Sequence, residues 1–232
     1  MIAVTFALPT ESREFLRHLN HKSRSDRDSV RTVRGKIGDR VIEVLHTGVG
    51  EKVCRQRLGK FLQDQKFDCL ISAGFAGAIA DDLQIGDLLV ARNFSTIDLN
   101  QKPSLLSSLP IHVADLLTVP ALIDSPEERM KLARTFGASA VDMETKFIAQ
   151  ACATHGLPLL SLRVISDTPR DLFPAPANIL FDIEQQRTHL LKLARHFLVR
   201  PNHVSRLAQF AKRIGSAQKT LAAALTKFVR EL

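Results

Sequence analysis

The sequence predicts an α/β fold, a sheet covered by helices on both faces. Two observations predict it. Short apolar, β-branched runs alternate with longer segments of helical spacing along most of the chain. Glycine-rich stretches, Thr47-Gly48-Val49-Gly50 and Ser72 to Ile79, punctuate the alternation. The chain has 232 residues, enough for one α/β domain with a full core or one domain plus an appendage.

The elements follow in order. Residues 2 to 8 read as a buried strand. Thr10 to Leu19 reads as a helix with Thr10 as N-cap, and the polar stretch His21 to Asp28 as a loop. Val30 to Ile37 and Val41 to Thr47 form a hairpin turned at Gly38-Asp39. Glu51 to Gln65 is a helix. Phe67 to Ala73 and Asp87 to Arg92 are strands flanking a glycine-rich turn, and His112 to Leu117 is another strand. At Ser125-Pro126-Glu127-Glu128 the helix-start signals coincide: Ser125 caps, Pro126 suits the first position and Glu128 completes a capping box. That helix ends near Gly137. Ser139 to Asp142 is strand, Glu144 to His155 helix, Pro158 to Ile165 strand.

After Asp167 the chain changes character. Leu172 to Pro176 reads as a loop and Ala177 to Leu198 as a helix. Pro201 to Leu232 reads as one or two helices broken near Gly215. The division expected is a domain over 1–198 and a basic helical extension over 199–232. The extension carries Arg206, Lys212, Arg213, Lys219, Lys227 and Arg230, with apolar residues at close to helical spacing.

Composition narrows the class. Hydrophobic residues are 45% of the chain, as in ordinary globular proteins. No apolar run approaches a bilayer span, and the start lacks a basic leader and a cleavage site. The expected location is cytoplasmic. Three widely spaced cysteines, Cys54, Cys69 and Cys152, fit neither a zinc site nor a disulfide framework. They are read as reduced, buried thiols, and neither metal nor cofactor is implied. A formal charge of +8 implies an anionic partner or good solubility. Nucleic acid is disfavoured, because a stacking surface would rest on 13 Phe with no Trp or Tyr.

Two stretches carry the chemistry: Val141-Asp142-Met143-Glu144-Thr145 and Val164-Ile165-Ser166-Asp167-Thr168. Each puts a carboxylate at the edge of an apolar segment. One helix and one returning strand fit between them. In an open α/β sheet, side chains at the carboxyl ends of strands converge on one crevice. Taken singly, each acid has an ordinary reading. Glu144 suits a helix start through the helix dipole, and Asp167 before Thr168-Pro169 suits a turn.

Taken together, these motifs resemble the purine nucleoside phosphorylase/nucleosidase superfamily. They are closest to the branch that cleaves methylthioadenosine and S-adenosylhomocysteine. Phe6-Ala7-Leu8-Pro9-Thr10-Glu11, Thr47 to Gly50, Ser72 to Ile79 and Gly86 to Val90 agree with it in order. The resemblance covers roughly residues 1–170. It implies a three-layer sandwich with a mixed central sheet, and hydrolysis of an N-glycosidic bond that releases adenine from a 5′-substituted adenosine. By the resemblance, Asp167 delivers the proton to purine N7, and Glu144 binds the ribose hydroxyls and stabilises the developing cation. Glu11 activates the attacking water, Met143 packs under the sugar, and Arg163 supports the water or the acids. Ser166 bonds the base or orients Asp167. Gly74, Phe75, Ala76 and Gly77 line the substrate, as does Val141.

The alternative within the resemblance is a phosphorylase. Phosphorylases of this superfamily surround phosphate with arginines, one of them leading the glycine-rich segment. Here Cys69-Leu70-Ile71-Ser72 holds none, and Arg13 and Arg55 are the nearest. Hydrolysis is therefore favoured. A second alternative is a nucleoside-binding protein without catalysis, because Phe75 replaces a small hydroxyl residue and the segment before Val141 lacks a stacking aromatic. Phe173 and Phe181 are the candidates to supply one. The basic tail resembles the branch associated with hopanoid lipid synthesis, which removes adenine from a lipid-linked adenosine. That implies peripheral contact with the inner membrane face; packing on the domain or on a second subunit is the other reading. The expected partners are a small-molecule purine nucleoside and a second copy of the chain, as a homodimer.

Overall fold

The computed structural model describes residues 1–27, 30–63, 65–99, 103, 105, 109–171, 173, 186 and 204–232. The central strand, β1 (Ile2–Phe6), is buried at all five positions. It pairs in parallel with β4 (Arg40–His46) on one side and β5 (Cys69–Ala78) on the other. β5 pairs in parallel with β10 (Leu159–Asp167), which is buried along its whole length. β10 then takes β6 (Leu88–Ala91) antiparallel, and β6 takes β7 (Ile111–Ala114) parallel. Beyond β4 lie β3 (Val30–Ile37) and β2 (Asn20–Arg27), both antiparallel. The sheet is mixed, as expected, in the order β2-β3-β4-β1-β5-β10-β6-β7.

Strand periodicity sorts the core into two layers, since alternate side chains point to opposite faces. Ile2, Val4 and Phe6 of β1 join Ile71 of β5 and Leu160, Leu162 and Val164 of β10 in one cluster. α1 (Pro9–His18) and α5 (Val204–Glu231) cover that face. Ala3, Leu70 and Leu159 point the other way, toward α2 (Glu51–Leu62) and α4 (Thr145–Thr154). On this second face each strand turns polar toward its carboxyl end: Thr5 follows Ala3, Ser72 follows Leu70, and Ser161 and Arg163 follow Leu159. All four of these polar residues are buried.

The far end of β5 completes the crevice. Its last residues, Gly77 and Ala78, pair antiparallel with Val141 and Ala140 of β9 (Ala140–Asp142), while Gly77 still stands opposite Asp167 of β10. β9 also pairs with β8 (Leu116–Thr118). Val141 to Glu144 is thereby carried to the carboxyl end of β10. α3 (Pro126–Phe136) packs nearby, with Ser125 Oγ accepting from Glu128 N.

Several expectations need correction. β2 is a strand where a loop was expected. It is an edge strand, exposed at Asn20 to Asp26, so no apolar alternation marks it. α1 starts at Pro9, not after a Thr10 cap, and Glu11 itself accepts from Leu8 N. Ser125 caps α3 as expected, but its hydroxyl donates to Glu127 and no return bond from Ser125 N to the Glu128 carboxylate closes the box among the described residues. The expected strand His112 to Leu117 is split at Asp115 into β7 and β8. The glycine-rich segment is not a turn: β5 runs straight through Gly74 and Gly77. α5 does not break at Gly215, since packing absorbs the roughly 1 kcal/mol that a helical glycine costs. The helix expected over 177–198, with Phe181, lies outside the described residues except for Gln186.

The apolar stripe of the basic tail points inward. Leu221, Leu225, Phe228 and Val229 are buried in the cluster that holds Phe6 and Phe15. A lipid surface therefore has no access to that stripe, and this part of α5 is core. No described helix is long and apolar enough to cross a membrane. The three cysteines are free and buried, and burial pushes the Cys54 and Cys152 thiols up to about 12. Phe228→Ala is expected to cost about 3–5 kcal/mol in urea unfolding, as for a fully buried aromatic. A peripheral helix would lose a small fraction of that.

Candidate active site

The polar face of the sheet is organised by Arg163. An isolated guanidinium could not remain buried there, so its donors must all find acceptors. Nε and Nη2 reach Asp142 Oδ2 at 3.2 and 3.0 Å. Nη1 bonds the carbonyls of Ser72 and Leu162, and Nη2 also bonds Ser72 Oγ and Thr145 Oγ1. One side chain thus ties β5, β9, β10 and the start of α4 together. Asp142 in turn accepts from Thr145 N and Thr118 Oγ1. Asp142 therefore caps α4, and Glu144 is left to face the crevice.

Glu11 and Glu144 meet across a cavity of about 10 Å³ that Arg163 also lines. Glu11 accepts from Leu8 N at 2.9 Å through Oε2 and from Phe75 N at 3.1 Å through Oε1. A Cβ on Gly74 would lie 3.1 Å from Glu11 Oε1, so glycine there lets the carboxyl reach the strand. Burial raises the Glu11 carboxyl above its usual range, against the pull of those two amides and of Arg163. Glu144 accepts from Gly50 N at 2.9 Å. Gly50 presents that amide from φ 86°, a conformation natural only to glycine. Burial pushes Glu144 up to about 8, and the charge of Asp142 adds to the shift. Thr5 Oγ1 also lines this cavity, buried and with no partner among the described residues. Such an atom calls for a water, and the space is about that of one probe sphere.

Asp167 lies at the rim of a second cavity, of about 40 Å³, with Met143, Val141, Gly77 and Phe173. The ordinary turn role falls to Thr168, whose Oγ1 accepts from Asp171 N. Ser166 Oγ donates to Asp167 Oδ1 at 2.6 Å, so Ser166 orients the acid. A Cβ on Gly77 would come within 2.8 Å of Asp167 Oδ2. Phe173 is held edge-on to Phe210 of α5, 5.9 Å between ring centres. Met143 lines this cavity and a wider groove of about 750 Å³, which passes Gly50, Val53 and Phe147 between α2 and α4. Ala76 stands apart: its side chain packs with Leu89 and Ile165, and only its carbonyl, near Ser166 Oγ, faces the acid.

Two residues at the site went unread in the sequence. Arg129 of α3 is almost wholly buried and ion-paired with Asp167. Gln186 bonds both the N–H and the carbonyl of Val49, each at 2.7 Å, and so braces the turn that presents Gly50. Arg129 had a faint signal as a cation one turn into a capped helix. Gln186 had none.

The family model for the phosphorylase superfamily matches residues 1–105 and 97–200. The chain belongs to the phosphorylase superfamily. The 5′-methylthioadenosine/S-adenosylhomocysteine nucleosidase of Staphylococcus epidermidis is 26% identical over 198 residues, covering 72% of this chain and 86% of that relative. The Staphylococcus aureus enzyme is 25% identical with the same coverage. In structure, the chain resembles the S. pneumoniae nucleosidase bound to the transition-state inhibitor MT-ImmA, with TM-score 0.72, 19% identity and coverage of 99% and 98%. A futalosine hydrolase mutant from Helicobacter pylori gives TM-score 0.72 at 18% identity, covering 100% and 99%.

For a phosphorylase-superfamily chain the cations matter. Arg13 is exposed on α1. Arg55 bonds Glu51 and Gln150 and stacks over Phe147, 4.8 Å from the ring centre. Neither lines the cavity between Glu11 and Glu144.

The raised Glu144 acid gives a stability signature. Its folded value of about 8 stands above the ordinary 4.5, so the folded state holds the proton more tightly. Stability should fall as pH rises from about 4.5 to about 8. Glu144→Gln keeps an acceptor for Gly50 N and removes the titration. Its melting temperature should match wild type at pH 4.5 and exceed it increasingly toward pH 8. A difference that is constant with pH would contradict this.

Proposed function

We propose that this chain hydrolyses the N-glycosidic bond of a purine nucleoside, releasing adenine from a 5′-substituted adenosine. The observation that carries the reading is the one-water cavity between Glu11, Glu144 and the orphaned Thr5 hydroxyl. Arg163, the cation lining it, spends its N–H groups on protein acceptors. A phosphate dianion needs fixed cations with donors to spare, whereas a water needs the acceptors that are present.

In this reading Glu11 takes the proton of the attacking water as the water oxygen bonds to C1′. In its ionised form Glu144 accepts from the ribose hydroxyls and offsets the positive charge that builds on the sugar. The electron pair of the breaking C1′–N9 bond goes to the purine, and Asp167 supplies the proton that purine N7 takes up. Phe173 and Met143 flank the base and sugar. The groove beyond Met143 takes the 5′ substituent, and its 750 Å³ suits a bulky one, lipid-linked or not. The same reading includes a homodimer in the cytoplasm, which sedimentation velocity tests directly.

Base release is the experiment. Adenosine, methylthioadenosine, S-adenosylhomocysteine and a lipid-tailed adenosine are incubated with and without phosphate, and free adenine is quantified. Release independent of phosphate is expected. Asp167→Asn and Glu11→Gln should each lower kcat about 10²–10⁴-fold without unfolding the chain. Release only with phosphate would make it a phosphorylase, and ligand binding without release would leave a binding protein.

A further inference from the structure

We infer that Arg129 is a positioning residue for the proton-donating acid, holding Asp167 by Oδ2 so that Oδ1 alone exchanges the proton with the base. The inference rests on the hydrolytic reading above.

Arg129 is 1% exposed and Asp167 2%. A buried ion pair is poor evidence for stability, because apolar residues of equal volume often do as well. Its geometry is more telling. Nε and Nη2 of Arg129 donate to the Ile123 carbonyl at 3.0 and 2.7 Å, and Nη1 donates to the Ala78 carbonyl at 2.9 Å. The guanidinium is thus locked to the end of β5 and to the segment before α3, independently of Asp167. From that fixed frame Nη2 reaches Asp167 Oδ2 at 2.5 Å. Gly77 leaves room for the pair, since a Cβ there would meet both Oδ2 and Nη1, at 2.8 and 3.2 Å.

The two carboxylate oxygens are therefore unequal. Oδ2 is held by a cation that can move only if its bonds to two backbone carbonyls break. Oδ1 is held by the Ser166 hydroxyl, a rotor with a second acceptor in reach, the Ala76 carbonyl at 3.3 Å. When Ser166 turns to Ala76, Oδ1 is freed and can carry a proton taken from solvent. That proton passes from Oδ1 to N7 as the C1′–N9 bond breaks. The carboxylate left behind is already paired with Arg129 through Oδ2, and Ser166 turns back to Oδ1. The proton that Glu11 took from water returns to solvent, so the cycle closes on nucleoside plus water giving base plus sugar.

The test is a double-mutant cycle on the full chain. Arg129→Met should lower kcat at least tenfold with KM changed less than about threefold, because the lost interaction serves the transition state. Arg129→Lys, which can still donate to Oδ2, should recover part of kcat. In the Asp167→Asn background, Arg129→Met should cause no further loss in single-turnover rate. Equal fractional losses in both backgrounds, or losses that track only the folded fraction in melting curves, would overturn the inference. Should Arg129→Met not fold, Ser166→Ala replaces it: kcat falls in wild type and not in Asp167→Asn if Oδ1 is the exchanging oxygen, and falls equally in both if it is not. If wild type releases no base, the hydrolytic reading fails separately. Calorimetric titration with adenine then decides: binding weakened by Arg129→Met and restored by Arg129→Lys supports the positioning role, and unchanged binding ends it.

Discussion

The constraint on which the structure depends is the burial of four carboxyl groups, Glu11, Asp142, Glu144 and Asp167, at one end of a sheet. Carboxylates are seldom buried without partners, and each must be answered by a donor or stay protonated. Two arginines answer two of them. Arg163 pairs with Asp142 and Arg129 with Asp167. Glu11 and Glu144 form no ion pair among the described residues and rely on backbone amides, of Leu8 and Phe75 for one and Gly50 for the other. The division also shows in where the groups sit. The paired Asp142 holds the frame, while the raised Glu144 and Glu11 face the cavity.

The polarity of the strands creates this place. β1, β5 and β10 are apolar where they begin on the α2/α4 face and polar where they end. The same parity that sends Leu159 into the core sends Arg163 into the site four residues later. The pairing of the end of β5 with β9 then brings Asp142 and Glu144 to the end of β10. Glycine at 74 and 77 is what lets side chains from α1 and β10 come within van der Waals contact of the β5 backbone. A substitution there would move a carboxyl, not merely strain a turn.

Legibility in the sequence follows from how local each feature is. The buried strands and α2, α3 and α4 were readable because their patterns repeat within a few residues. β2 was not, since an edge strand with both faces wet has no apolar period. The glycines of β5 suggested a turn because the residues that explain them, Glu11 and Asp167, are far away in sequence. Glu11, Glu144 and Asp167 stood out through motifs that resemble a family, not through any spacing rule. Arg129 sits 38 residues from its partner, on a helix whose charged residues look like an ordinary solvated face. Only the fold reveals that this one points inward.

The apolar core explains why the site tolerates its own instability. Holding Glu144 near 8 costs folding energy at neutral pH and above, because the unfolded chain releases that proton more readily. The cost is offset elsewhere: the large cluster under β1 joins strands, α1 and the buried stripe of α5 in one apolar body. Among the described residues α5 contributes no side chain to the cavity between the two glutamates, yet through Phe210 it packs against Phe173 beside Asp167. The basic C-terminal helix thus serves the site twice, as part of the core that offsets strained chemistry and as the backing for a ring beside the acid.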